Sequence, residues 1–272
     1  MLNIFLLFFF LSTIKSIKSI QEKDICVWLT GASYCGKEKY PTMILGGPSS
    51  TFNYEYTIYD VKTDLEGFIG TLNTTQSIYI VLRGTNSILN WVDDLEVKLV
   101  PYNTYEECQC RVHYGFYNSV LRIIDSVMEN IQRLINAYPT YQIIITGHSY
   151  AAATGQLLAM ELSKKNIITS LYNFGQPRVG DEKYASFVNT KLKNYYRFTH
   201  DKDIVPHLPP LSMGYQHSCG EIFENSQGEL RECSKINCED ENCAVQYLLA
   251  ETNVNDHSYY LGHYLSCENS II

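Results

Sequence analysis

Gly147-His148-Ser149-Tyr150-Ala151 lies between a β-branched run, Ile143-Ile144-Ile145, and an Ala- and Leu-rich stretch from Ala151 to Leu162. Consecutive β-branched residues read as a strand buried on both faces of a parallel sheet. A stretch that is apolar nearly all round reads as a helix packed under other layers. A serine therefore falls on a sharp strand-to-helix turn, the geometry of a nucleophile elbow. Such a turn pushes its side chain out of the sheet, and the helix behind it aims backbone N–H groups at any carbonyl the serine meets. The feature predicts an α/β architecture and sets a serine up for attack on a carbonyl.

The flanking patterns extend that architecture. Tyr54 to Val61 and Gly67 to Leu72 predict an antiparallel hairpin around the turn Lys62 to Glu66, and Ser77 to Arg83 predicts another strand, closed by Gly84-Thr85. From Gly115 to Ala137, Phe116, Val120, Ile123, Ile124, Val127, Ile131, Leu134 and Ile135 recur at intervals of three and four, as on an amphipathic helix that Pro139 ends. Ile167 to Phe174 reads as a strand, Asp181 to Leu192 as a helix and Tyr195 to Thr199 as a strand. That alternation predicts a mostly parallel central sheet with right-handed crossovers, flanked by helices, with the N-terminal hairpin adding antiparallel strands at one edge.

The chain has 272 residues, 45% of them hydrophobic, and no repeat or low-complexity block. That is enough for one full core, expected over residues 20–272. The apolar run Ile4 to Leu11 is too short to span a bilayer and fits the core of a signal peptide, expected over residues 1–19; an uncleaved anchor is the alternative. Nine cysteines, at 26, 35, 108, 110, 219, 233, 238, 243 and 267, fit an oxidising compartment and leave one thiol over. Cys233, Cys238 and Cys243 with His217 offer a metal reading, but no Cys-x-x-Cys pair supports it, so disulfides are expected and no metal. Asn73-Thr74-Thr75 is a glycosylation acceptor consistent with a secreted, extracellular protein. A net charge of −8 argues against nucleic acid and against a basic patch on anionic membranes, so any lipid contact is expected to be peripheral and apolar.

A serine hydroxyl near neutral pH needs a histidine as general base and a carboxylate to orient it. In this type of sheet both follow the nucleophile along the chain. Asp201 and Asp203 stand just past the strand ending at Thr199, where α/β active sites assemble, and the later histidines are His207, His217, His257 and His263. His148, inside the elbow, is turned away from Ser149 by chain geometry and is expected to pack or to hydrogen-bond.

Six segments, in order, resemble the fungal-type or class 3 triacylglycerol lipases, members of the α/β-hydrolase fold. They are Arg83-Gly84-Thr85 with Asn90-Trp91 and Asp94-Leu95, Val112 to Phe116, Thr146 to Ser149, Phe174 to Gly180, Asp203 to Pro210, and Asp256 to Tyr260. The resemblance implies Ser149 as nucleophile, Asp203 rather than Asp201 as the orienting acid, and His257 as general base, with His263 its competitor. It further implies an oxyanion hole from the backbone N–H groups of Thr85 and Tyr150, with the Thr85 hydroxyl as an added donor. The short amphipathic piece with Ile88, Leu89, Trp91 and Val92 becomes a lid over an apolar groove. No metal or organic cofactor is implied, and the partner is an acylglycerol or other lipid ester at a lipid–water interface. A phospholipase, a small-ester esterase and a catalytically silent lipid-binding homologue are the alternatives on the same scaffold. Tyr150-Ala151-Ala152 departs from the family's Leu-Gly-Gly, and the Ala151 methyl is expected to cost about 1–3 kcal/mol if the helix–strand contact there is overpacked.

Overall fold

In the computed structural model, which describes residues 22–85 and 97–272, the isoleucine run forms the middle of an eight-stranded sheet. Chain order gives α1 (22–32), then β1 (Asn53–Asp60), β2 (Leu65–Leu72) and β3 (Ser77–Leu82). A small separate ribbon follows, β4 (Leu99–Pro101) with β5 (Arg111–His113), and leads into α2 (Tyr114–Ala137). Then come β6 (Gln142–His148), α3 (Tyr150–Lys164), β7 (Thr169–Phe174), α4 (Glu182–Lys191) and β8 (Asn194–His200). Two short strands, β9 (Glu221–Glu224) and β10 (Leu230–Glu232), complete the sheet in the order β1-β2-β3-β6-β7-β8-β9-β10.

β1, β2 and β3 pair antiparallel, and β3, β6, β7, β8 and β9 pair in parallel. The predicted hairpin and parallel core are therefore both present. The opposite edge holds a second antiparallel pair, β9 with β10, which the sequence reading did not anticipate. These strands are only four and three residues long, and β10 is exposed throughout, so they carry little hydrophobic alternation. Two cross-links fix them instead, Cys219–Cys238 and Cys233–Cys243.

Period-two alternation explains why β6 is continuously apolar. Ile143 and Ile145 join one core with Phe116, Val120, Ile123 and Val127 of α2 and Leu157 and Leu158 of α3. Ile144 joins the other, beneath Ile25, Val27 and Leu29 of α1 and beside Phe174, Tyr260 and Leu265. At roughly 1.5–3 kcal/mol for each large apolar side chain taken from water, this double burial fixes β6 more firmly than local propensity does. The N-terminal segment is held to the C-terminal one by Cys35–Cys267, Cys108–Cys110 forms the fourth disulfide, and the remaining thiol, Cys26, is buried. All three cysteines of the metal reading are thus consumed in disulfides.

Candidate active site

Ser149 sits at φ 60°, ψ −128°, between the end of β6 and the first residue of α3. A non-glycine residue at positive φ is strained, and it persists here because both flanking elements are buried and the Ser149 N–H donates to the Phe174 carbonyl at 2.9 Å. Gly147 makes the tight turn possible: a Cβ there would lie 2.7 Å from the Ala151 carbonyl oxygen and 3.1 Å from the Ala151 methyl. The bare Gly147 backbone leaves room for that methyl, so Ala151 and Ala152 pack fully buried beside the turn.

Asp203 follows β8, on the loop at the same end of the sheet. Its Oδ1 accepts the Val205 N–H at 2.8 Å, and its Oδ2 accepts His257 Nδ1–H at 2.8 Å together with the Tyr260 hydroxyl. Three donors compensate a carboxylate that is almost entirely out of water. Burial, and next the Asp203 carboxylate, push the Tyr260 phenol well above its ordinary value, which keeps it a donor. The loops carrying Asp203 and His257 are laced together: Asn253 N–H donates to Lys202 O at 2.8 Å, Ile204 N–H to Asn253 O at 3.2 Å, and Asn253 Nδ2 to Asp256 Oδ2 at 2.8 Å. Gly175, at φ +56° just beyond Phe174, completes the packing, because a Cβ there would meet His257 Cε1 at 2.7 Å and Asp203 Oδ2 at 2.9 Å.

With Nδ1–H given to Asp203, the His257 lone pair is at Nε2. Both His257 Nε2 and Ser149 Oγ are buried and have no hydrogen-bond partner among the described residues. The structure thus brings Asp203 and His257 into direct contact, and Ser149 stands on a turn bonded to Phe174, whose neighbour Gly175 packs against His257 and Asp203; Ser149 Oγ and His257 Nε2 make no hydrogen bond to each other. A serine hydroxyl brought within reach of Nε2 would pass its proton to an imidazole whose cation the adjacent carboxylate stabilises.

The Arg83-Gly84-Thr85 segment comes off β3 beside the elbow. A Cβ on Gly84 would lie 2.7 Å from His148 O and 3.3 Å from Ser149 Cβ. Arg83 is held by Glu66 at 2.7 Å and Asp64 at 3.0 Å. Thr85 and Tyr150, the two residues expected to form the oxyanion hole, border one crevice of about 160 Å³ with Leu65 and Gly84. Tyr150 is anchored there by its hydroxyl, 2.6 Å from Ser119 Oγ and 3.2 Å from the Gly115 carbonyl, and its ring meets Phe116 edge-on. A larger hollow of about 350 Å³, lined by Ile168, Lys191 and Lys193, lies at the opposite, N-terminal ends of β7 and β8, where α/β chemistry is not assembled.

The other sequence candidates fall elsewhere. Asp201 accepts the Tyr247 hydroxyl at 2.9 Å. His263 stacks on Trp28 of α1 and bonds Ser270 Oγ of the C-terminal segment at 2.8 Å. His217 donates through Nε2 to Pro206 O at 2.7 Å, and burial, with Arg197 next, holds it well below the usual imidazole value. Behind it, Arg178 grips Glu239 and the His207 and Pro209 carbonyls. Burial alone would raise Glu239, but the Arg178 hydrogen bond brings its carboxyl down to about 2. Asn73 is exposed on the β2–β3 turn, its Oδ1 accepting from Tyr141 at 2.9 Å. The lid residues Ile88, Leu89, Trp91 and Val92, and the segment 1–19, lie outside the described residues.

Residues 79–213 match the family described as lipase (class 3). The chain is 34% identical over 262 residues to a lipase of Rhizomucor miehei, a match covering 90% of this chain and 69% of that one. It is 31% identical over 209 residues to the secreted mono- and diacylglycerol lipase A of Penicillium cyclopium, covering 76% and 67% respectively. The solved structure of Rhizomucor miehei triacylglyceride lipase superposes with a TM-score of 0.84 at 29% identity, over 92% of this chain and 96% of the other.

Proposed function

The chain belongs to the class 3 lipase family, a family of carboxylic ester hydrolases, and from that premise we propose that it is a secreted triacylglycerol lipase working through an acyl-serine intermediate. The observation that supports the mechanism is the buried pair His257–Asp203 with an elbow serine at the same end of the sheet, His257 Nε2 and Ser149 Oγ both being without a hydrogen-bond partner among the described residues.

In this reading Ser149 Oγ attacks the ester carbonyl while His257 Nε2 takes its proton, and Asp203 holds the imidazole tautomer and stabilises the cation. The tetrahedral oxyanion is received by the Thr85 and Tyr150 backbone N–H groups, each of this kind worth about 10²–10³ in turnover. His257 then protonates the leaving alkoxide. Water, deprotonated by the same nitrogen, releases the fatty acid and restores Ser149. The four disulfides, and a relative named as secreted, support an extracellular site of action after removal of the leader at 1–19.

Partial glycerides are the second reading, favoured by the Penicillium relative's description as a mono- and diacylglycerol lipase. The test compares wild type and Ser149→Ala on p-nitrophenyl butyrate, emulsified triolein and monoolein. Turnover of triolein by wild type alone supports the proposal, turnover confined to monoolein moves the substrate to partial glycerides, and turnover only of the soluble ester points to an esterase. Equal turnover by Ser149→Ala, or none by either, overturns the serine mechanism.

A further inference from the structure

We propose that Tyr34 and His148 are positioning residues: a directional hydrogen-bond pair that fixes the His257 main chain and the Gly84–Thr85 turn relative to one another. The inference rests on the hydrolase reading above, since it concerns the spacing between its base and its oxyanion donors.

His148 Nε2 lies 2.7 Å from the His257 carbonyl oxygen, and Nδ1 lies 2.6 Å from the Tyr34 hydroxyl. A carbonyl oxygen only accepts, so Nε2 carries the hydrogen. In a neutral imidazole the other nitrogen is then an acceptor, and the Tyr34 O–H must donate to it. Burial, and next the neighbouring His257, hold His148 well below the ordinary imidazole value, so the ring is the neutral one this pattern requires. Its plane lies close over His257, with ring centroids 4.1 Å apart. A neutral His148 adds no charge against the imidazolium that catalysis forms there.

The Tyr34 hydroxyl also touches the other half of the site. A Cβ on Gly84 would approach it to 2.5 Å, while the same Cβ would meet His148 O at 2.7 Å. One phenol oxygen therefore abuts the turn leading into Thr85 and, through His148, holds the backbone of the general base. Its own position is fixed by the adjacent Cys35–Cys267 disulfide and by the Ser33 carbonyl, which accepts the Tyr40 hydroxyl at 2.6 Å.

The experiment uses Tyr34→Phe, which removes one oxygen and keeps the ring. With p-nitrophenyl butyrate, kcat is expected to fall about five- to twentyfold, the usual worth of a lost buried hydrogen bond, with KM held to within about twofold. In ¹⁵N-imidazole-labelled protein at pH 7, the His148 resonances, assigned by their loss in His148→Gln, report a bare Nδ1 and a protonated Nε2 in wild type and are expected to shift in Tyr34→Phe. An unchanged kcat, or a lower kcat with unmoved His148 resonances, overturns the proposal. A second comparison does not depend on that variant folding: His148→Gln, whose amide reaches the His257 carbonyl, is expected to retain at least about fivefold more kcat than His148→Ala, and equal losses overturn the proposal. The lipase reading fails separately, if Ser149→Ala keeps wild-type turnover.

Discussion

Gly175→Ala puts one methyl group where His257 and Asp203 meet. The added Cβ would lie 2.7 Å from His257 Cε1, 2.8 Å from its Nδ1 and 2.9 Å from Asp203 Oδ2, against an ordinary closest contact of about 3.4 Å. The imidazole, buried against His148 and Asp203, must give by more than half an ångström, and misplacement of about 1 Å costs on the order of 10² in rate. The left-handed backbone, φ +56°, adds roughly 1–2 kcal/mol of strain, or about 2–8 °C in melting temperature for a chain of this size. Gly214→Ala separates the two effects: its φ is +81°, but beyond its own chain neighbours no atom of the described residues lies within 4 Å of its added Cβ. With p-nitrophenyl butyrate and differential scanning fluorimetry, both variants are expected to melt lower, and only Gly175→Ala to lose about two orders of magnitude in kcat. Wild-type turnover in Gly175→Ala would refute the packing argument, and so would an equal loss in Gly214→Ala.

Asp203→Asn keeps the shape of the site but removes the charge that fixes the His257 tautomer, and kcat is expected to fall on the order of 10⁴ in a steady-state assay, with the fold retained. Reduction of Cys35–Cys267, or its replacement by two serines, opens a loop of 232 residues and is expected to cost up to about 5 kcal/mol in urea unfolding, since the chain-entropy cost grows with loop length. Burial holds His148, His207, His217 and His263 below the ordinary 6.5, so the unfolded chain binds protons that the folded one refuses. Their contribution is complete above pH 6.5 and is lost as pH falls below it, by about 1.4 kcal/mol per pH unit for each ring still neutral in the fold, and a urea midpoint constant from pH 7 to 5 would contradict this.

What was legible in the sequence was what local pattern encodes. The isoleucine run, the turn at Ser149 and the three-and-four spacing of α2 each specify one element, and chain order then specifies a parallel sheet. The segment Asp256 to Tyr260 contained His257 and also Tyr260, yet nothing local says that a tyrosine three residues on will hold the same carboxylate. Tyr34 carried no signal at all, because its partner, His148, is 114 residues away and is reached only once α1 lies across the sheet. Disulfide pairing was closed to sequence for the same reason: Cys35 and Cys267 meet through the fold, not through spacing. The β9–β10 edge was missed because its strands are too short to show alternation.

The central claim is that Ser149 is the nucleophile, activated by His257 and Asp203. Treating the protein with diethyl p-nitrophenyl phosphate and mapping the adduct by peptide mass spectrometry tests it most directly. The account predicts one diethylphosphoryl group on Ser149, formed in step with loss of esterase activity and absent in His257→Ala. Activity lost with the adduct on another residue, or retained with Ser149 fully modified, would contradict it.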